Sequence, residues 1–465
     1  MILIRKTFIM NSIWSKFTLS FLLPFLFLAV ATAQRGNSES NITPDNALES
    51  YLQNGDKSFH WEIKDTLQEE NVTTYNILLT SQVWQNITWK HQLSIFVPTD
   101  NKYDGALLFI TGGSVKEGMP KWKKADDKLN FFFSNMAVKN KAAVAVINQV
   151  PNQPLYNGLT EDALISKTLH DFKNDKDYSK PLLFPMVKSA VRGMDAIQQF
   201  MKEKKNHAVS RFVVSGASKR GWTTWLTSAM DDRVKALGPM VIDILNMPKN
   251  LTYQVEAYGK YSEQIEDYVK LGILDDIRSE SGNAIVKMID PYSYRKYLDK
   301  PKLLFMGTND EYWVVDNVKN YLNEIPGKNL IHYVPNAGHN LGGGVSAFAA
   351  LSAFFGITLK NEAYPEDSWK TKIKKKNIRV SMRATKDELL GAKVWYANST
   401  DHDFRNEKWE SRDLNISHTG KFKVVENLPK TGYHAFYVDL KYKDANGGDY
   451  TVSSRVFLTN TKTIL

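Results

Sequence analysis

Three residue types, each placed just past a run of buried-strand character, carry the chemistry in this sequence. Phe212-Val213-Val214 runs into Ser215-Gly216-Ala217-Ser218-Lys219-Arg220-Gly221, and a helix-compatible segment follows from Trp222 to Met230. A strand, a sharp turn with a serine at its apex, then a helix lifts a hydroxyl clear of a sheet edge. Lys302–Gly307 is a second apolar run and breaks into Thr308-Asn309-Asp310-Glu311; Asn329–Pro335 is a third and ends in Asn336-Ala337-Gly338-His339. A serine hydroxyl becomes a competent nucleophile when an imidazole of near-neutral pKa takes its proton, and a carboxylate then fixes the imidazole tautomer. Ser218, Asp310 and His339 are therefore the candidate catalytic residues. Asp243, closing the apolar run Val241-Ile242-Asp243, is the alternative acid, and Glu311 reads as a solvated loop charge.

The turn departs from the usual G-x-S-x-G pattern, because Arg220 stands two positions after the serine and the glycine comes one later. An oxyanion needs two N–H donors. The candidates are Lys219, directly after the serine, and Gly113, in the Gly112-Gly113-Ser114 turn that ends the apolar run Ala106–Thr111. Arg220 is a candidate contact for an anionic group of a substrate, with a helix-start cation of no substrate role as the plainer reading. No metal-ligand cluster or nucleotide-binding glycine loop is visible, so neither metal nor cofactor is expected.

The elements that must position these residues alternate. Strands at Thr73–Thr80, His91–Pro98, Ala106–Thr111 and Ala142–Asn148 are followed by helices near Thr160–Phe172 and Pro185–Glu203, the second with apolar residues at helical spacing. Such alternation predicts an α/β fold, a mostly parallel sheet with helices on both faces. The chain order Ser218, Asp310, His339 is that of an α/β-hydrolase. About 245–300 is longer than a crossover needs and reads as a helical lid insertion. From 377 to 465 the texture changes to short alternating strands with turn signals, which predicts a small C-terminal β-sandwich. The lysine-rich stretch 370–376 reads as a linker between the two domains, solvated rather than built to attract an anionic polymer.

Arg5, Lys6 and Lys16, the apolar run Phe17–Val30 and Ala31-Thr32-Ala33 predict a signal peptide over 1–33, cleaved after Ala33. The hydrolase-like domain would then span 34–370, in a secreted or periplasmic protein with no membrane span. The 465 residues include no cysteine, so apolar packing and not disulfides must hold the fold. The net charge of +10 comes with no nucleic-acid module. The expected partner is a small-molecule, glycan or peptide substrate, with an extracellular protein as a further possibility.

The sequence resembles the PhoPQ-activated pathogenicity-related proteins, a family that includes slime-mould autocrine proliferation repressor proteins. The resemblance rests on Leu108-Phe-Ile-Thr-Gly-Gly-Ser114, Glu161-Asp-Ala-Leu-Ile165, Pro185–Arg192 with Met194-Asp195, Gly216-Ala-Ser-Lys-Arg-Gly-Trp222, Gly307–Glu311, Asn336–His339, Val394-Trp395 and Asp403-Phe-Arg405. It implies a secreted α/β-hydrolase-like protein associated with virulence or extracellular signalling, and it implies no substrate. A looser similarity, to glucuronoyl esterases, implies that Lys219 supports the oxyanion and favours Asp243 as the acid. Two functions follow: a serine hydrolase of ester or amide bonds, or a non-catalytic signalling or binding protein on the same scaffold.

Overall fold

The chain enters through a short helix, α1 (Ala47–Leu52), and three antiparallel strands, β1 (His60–Gln68), β2 (Val72–Trp84) and β3 (Ile87–Pro98). The computed structural model describes residues 42–465 except 125–126, 275–276, 278, 387 and 417–418. The expected signal peptide, 1–33, lies outside the described residues. Strand β4 (Gly105–Ile110) precedes a small hairpin, β5 (Val115–Lys116) with β6 (Met119–Pro120). Helix α2 (Lys128–Asn140) leads to β7 (Val144–Ile147), and α3 (Glu161–Asp175) and α4 (Leu183–Lys205) lead to β8 (Arg211–Ala217). After α5 (Lys219–Met230) and β9 (Val234–Met240), an insertion carries α6 (Met247–Tyr258), α7 (Glu266–Lys270) and α8 (Glu280–Ile289). Strands β10 (Lys302–Gly307) and β11 (Asn329–Val334) follow, then α9 (Val345–Lys360).

The strands order as β1-β2-β3-β7-β4-β8-β9-β10-β11, with every pair from β7 to β11 parallel. All six residues of β4 are buried, as a central strand covered on both faces must be. Alternation sorts them: Ala106, Leu108 and Ile110 pack with α3, α4 and α5, while Leu107 and Phe109 pack with α2 and α9. The result is a mixed sheet flanked by helices on both faces, and it resembles an α/β-hydrolase fold.

The C-terminal strands are β12 (Asp367–Lys374), β13 (Asn377–Ala384), β14 (Leu389–Ser399), β15 (Glu410–Leu414), β16 (Lys421–Asn427), β17 (Tyr433–Lys443), β18 (Asp449–Ser453) and β19 (Phe457–Thr459). They are not appended as a body apart, since Ile42–Leu465 form one compact unit. Strand β18 pairs with β11 at Ile331 and Ser453, so β18-β17-β14-β15 prolong the main sheet. Strands β12-β13-β16 make a separate accessory sheet. Its Ile378, Val380, Met382 and Val424 share an apolar cluster with Val394, Val438 and Leu440 of the main sheet. The expected linker at 370–376 is instead the end of β12 and its turn into β13. Lysines at alternate positions hid the strand, because Trp369 and Ile373 point inward while Lys370 and Lys372 point to solvent.

Candidate active site

The serine turn is built by close approach. Ser218 adopts φ 59° and ψ −124°, a conformation that costs a non-glycine residue on the order of 1–3 kcal/mol. It is held by its N–H, which donates to the Met240 carbonyl at 2.9 Å, and by its own carbonyl, which accepts from Trp222 N–H at 2.9 Å. A Cβ on Gly221 would lie 2.7 Å from the Met240 carbonyl oxygen. The glycine is therefore needed one position later than in the usual motif, where α5 crosses the end of β9.

That shift frees position 220 for a long side chain. Arg220 donates Nη1–H and Nη2–H to the two Glu161 oxygens at 2.7 Å each, and Nε–H to the Val150 carbonyl at 2.5 Å. Its guanidinium lies against Gly112, whose added Cβ would sit 2.5 Å from Nη2. Burial pushes the Glu161 carboxyl up, but the hydrogen bonds and charge of Arg220 outweigh it and hold the group below its usual range. Arg220 thus turns its guanidinium to an internal carboxylate, which accords with the plainer of the two readings given for it. The neighbouring Lys219 Nζ pairs with Asp162 at 2.5 Å, and Asp162 accepts from Tyr268 O–H of α7 at 3.0 Å. Two adjacent carboxylates at the start of α3 therefore answer two adjacent cations at the start of α5. The matched pairs were the signal available in the sequence.

His339 Nε2 lies 2.8 Å from Ser218 Oγ, and its Nδ1 lies 3.0 Å from both oxygens of Asp310. Asp310 is buried and also accepts from Tyr312 N–H at 2.9 Å. The Tyr312 ring stacks on the imidazole, with centroids 4.2 Å apart. The three residues thus meet although 92 and 29 positions separate them along the chain. Glu311 is no idle loop charge: its Oε2 accepts His339 N–H at 2.9 Å and sets the direction of the histidine turn. Asp243 does not reach the imidazole. It is fully buried on the Asn317–Tyr321 side, where burial, above all, pushes its carboxyl up to about 7.

The loop after β4 emerges beside the serine turn, because Ile110 and Gly216 are partners in the parallel β4–β8 ladder. Gly113 in that loop has φ 147°, open to glycine but disfavoured for other residues. Lys219 N–H is the first of α5, and helix-start amides have no intrahelical acceptor. Such donors, with an imidazole between a hydroxyl and a carboxylate, can carry a proton off the hydroxyl and steady negative charge on a neighbouring oxygen. Among the described residues, no three His, Asp or Glu side chains gather as metal ligands.

Two outer layers brace these turns. From the insertion, Ser262 Oγ, Gln254 Nε2 and Tyr258 O–H donate to the carbonyls of Glu311, Tyr312 and Trp313 at 2.7, 2.7 and 2.9 Å. From the C-terminal strands, residues 404–409 run beneath both turns. Asn309 Nδ2 faces the carbonyls of Phe404, Arg405 and Glu407, the last at 2.7 Å. Asn336 accepts Trp409 N–H at 2.7 Å and donates to the Trp409 carbonyl at 2.9 Å. Neither brace was legible in the sequence.

In its fold the chain resembles the α/β-hydrolases. More narrowly, the chain belongs to the PhoPQ-activated pathogenicity-related protein family, whose model matches residues 48–405. It is 29% identical over 444 residues to autocrine proliferation repressor protein A of Dictyostelium discoideum, covering 87% of this chain and 88% of that one. Among solved structures, acetyl xylan esterase 1 from a Thermoanaerobacterium species aligns at 16% identity and TM-score 0.48, over 68% of this chain and 93% of its own. An acetyl xylan esterase from a Paenibacillus species aligns at 13% identity and TM-score 0.42, over 64% and 87%. At these scores the likenesses bear on neither substrate nor mechanism.

Proposed function

We propose that the protein is a serine hydrolase of ester or amide bonds that works outside the cytoplasm. The reading is carried by one observation, the imidazole of His339 bridging Ser218 Oγ and Asp310 within hydrogen-bond distance of each. Ser218 Oγ attacks the substrate carbonyl carbon as His339 Nε2 takes its proton, while Asp310 holds Nδ1–H and stabilises the imidazolium. The N–H groups of Lys219 and Gly113 receive the oxyanion. His339 then protonates the leaving group, and the same imidazole activates the water that releases the acyl group. Asp310 is the acid in this scheme, and Asp243 has no part in it.

The insertion at about 245–300 serves as the lid over the serine, and the strands from β12 onward as a β-sandwich-like accessory layer joined to the hydrolase sheet. Residues 1–33 act as a signal peptide cut after Ala33, a reading consistent with the family. Family membership supports a second reading, because one relative is by name a proliferation repressor: a secreted signal that does not need the chemistry. A single experiment separates the two. A fluorophosphonate probe labels the wild-type chain, and Ser218→Ala and His339→Ala abolish the labelling while melting at the wild-type temperature. Folded wild-type protein that refuses the probe would leave the signalling reading alone.

A further inference from the structure

The outer face of the accessory sheet β12-β13-β16 carries cations in register. Ser368, Arg383 and Lys421 form one cross-strand row, Lys370, Ser381 and Lys423 the next, and Lys372 and Arg379 lie directly opposite each other in the third. All of these side chains are exposed. Strand geometry sets such rows about 7 Å apart along the sheet and neighbours in a row about 5 Å apart. No Asp or Glu occupies an outward position on these strands. Their two carboxylates are turned inward. Asp367 pairs with Lys328 at 3.2 Å from a nearly buried position, and Glu426 pairs with Arg412. Among the described residues, none of Lys370, Lys372, Arg379, Arg383 and Lys423 has an ion-pair partner.

Like charges set directly across a sheet destabilise it. Alternation would have allowed a glutamate at any of these solvent positions, yet the face keeps its repulsion. It is also concave: an open trough of about 770 Å³ is lined by Ser368, Ser381, Asn415 and the cations Lys370, Arg383, Lys421 and Lys423, with Trp369, Met382 and Phe422 contributing its apolar part. Short hydroxyl side chains between basic flanks leave room for an elongated anion and offer it hydrogen bonds.

We propose that this face binds a linear polyanionic glycan, a sugar chain bearing carboxylates or sulfates. The two aromatic side chains that line the trough, Trp369 and Phe422, stand at inward positions packed into the apolar cluster, so no ring stands out on which a nucleic-acid base could stack. Its one apolar outward side chain, Val425, is too little to enter a bilayer. Charge complementarity with hydroxyl-rich chemistry leaves the glycan. The proposal stands apart from the catalytic reading, since none of these residues belongs to the serine site.

The test uses the whole chain and fluorescently labelled oligosaccharides of heparin and of polygalacturonate, with uncharged dextran, a thymidine oligonucleotide and phosphatidylserine vesicles as competitors for the reading. The chain is expected to bind at least one of the two polyanions and not dextran, and the binding is expected to weaken steeply with added salt. Combined Lys370→Ser, Arg383→Ser and Lys423→Ser should weaken it by about tenfold or more, as expected for loss of a screened charge cluster. The same variant should keep its melting temperature and its fluorophosphonate labelling. Lys370→Arg with Lys423→Arg keeps the charge and should keep the binding. Failure of both polyanions to bind, equal binding by the serine variant, loss of binding in the arginine variant, or tighter binding to the oligonucleotide or vesicles would overturn the proposal.

Discussion

Replacing Asp310 by asparagine tests the choice of acid more sharply than deleting it. The amide keeps the shape, and its oxygen can still accept Tyr312 N–H, now at 2.9 Å. Its NH₂ then replaces one of the two carboxylate oxygens that stood 3.0 Å from His339 Nδ1. A donor at that contact and the loss of the negative charge both weaken the hold on Nδ1–H and shift the ring proton toward Nε2. That nitrogen lies 2.8 Å from Ser218 Oγ and, once protonated, cannot accept the hydroxyl proton. Loss of both the correct tautomer and the charge that steadies the imidazolium should reduce turnover by about three to four orders of magnitude, or about 4–5 kcal/mol. Asp243→Asn is the matched control. Burial pushes the Asp243 carboxyl up to about 7, so near neutrality much of it is already protonated, as an amide mimics. Turnover of p-nitrophenyl acetate and the rate of fluorophosphonate labelling, measured from pH 6 to 9, should fall for Asp310→Asn and stay within about threefold of wild type for Asp243→Asn. Equal losses in the two variants, or a tenth of wild-type turnover in Asp310→Asn, would refute the assignment.

Asn336→Ala removes both bonds to the Trp409 backbone and places alanine at φ 55°, so it should destabilise the protein by about 3 kcal/mol in urea melts. Asn336→Gly should be about 1 kcal/mol milder, and both should lower kcat more than they raise KM through the displaced histidine turn. His332 is buried against Thr451 and its ring is pushed down to about 4. The unfolded chain therefore binds a proton that the native chain refuses between pH 6.5 and 4, and stability falls as pH falls through that window. The loss is about 3 kcal/mol for this ring. Buried Asp243, Asp290 and Asp439, each pushed up to about 7, act in the opposite direction over pH 7 to 4. The readout is accordingly a difference: on going from pH 6.5 to 4 the stability of His332→Gln should rise by about 3 kcal/mol relative to that of the wild type.

The parts of the site visible in sequence were those whose position depends on local structure. Ser218, Asp310 and His339 each follow an apolar run long enough to be a buried strand, and ligand-bearing turns lie at such strand ends. The expected strands and helices before the serine match β2, β3, α3 and α4 to within a few residues. Contacts closed over long separations stayed hidden. Arg220 finds Glu161 from 59 residues away, and Asn336 finds Trp409 from 73. Glu311 was misread because its side chain is exposed, while its function lies in one backbone bond. The linker at 370–376 was misread because charge dominated a two-residue alternation that only the register with β13 reveals.

The loop at 404–409 gives the chain a timing. The residues that bear the hydroxyl, the carboxylate and the imidazole are all polymerised by position 339, yet the backbone carbonyls and amide that hold Asn309 and Asn336 arrive more than sixty residues later. A nascent polypeptide that has reached position 339 would hold all three side chains and still lack the prop that aligns them. Assembly of the site therefore waits on a segment translated later, the loop between β14 and β15.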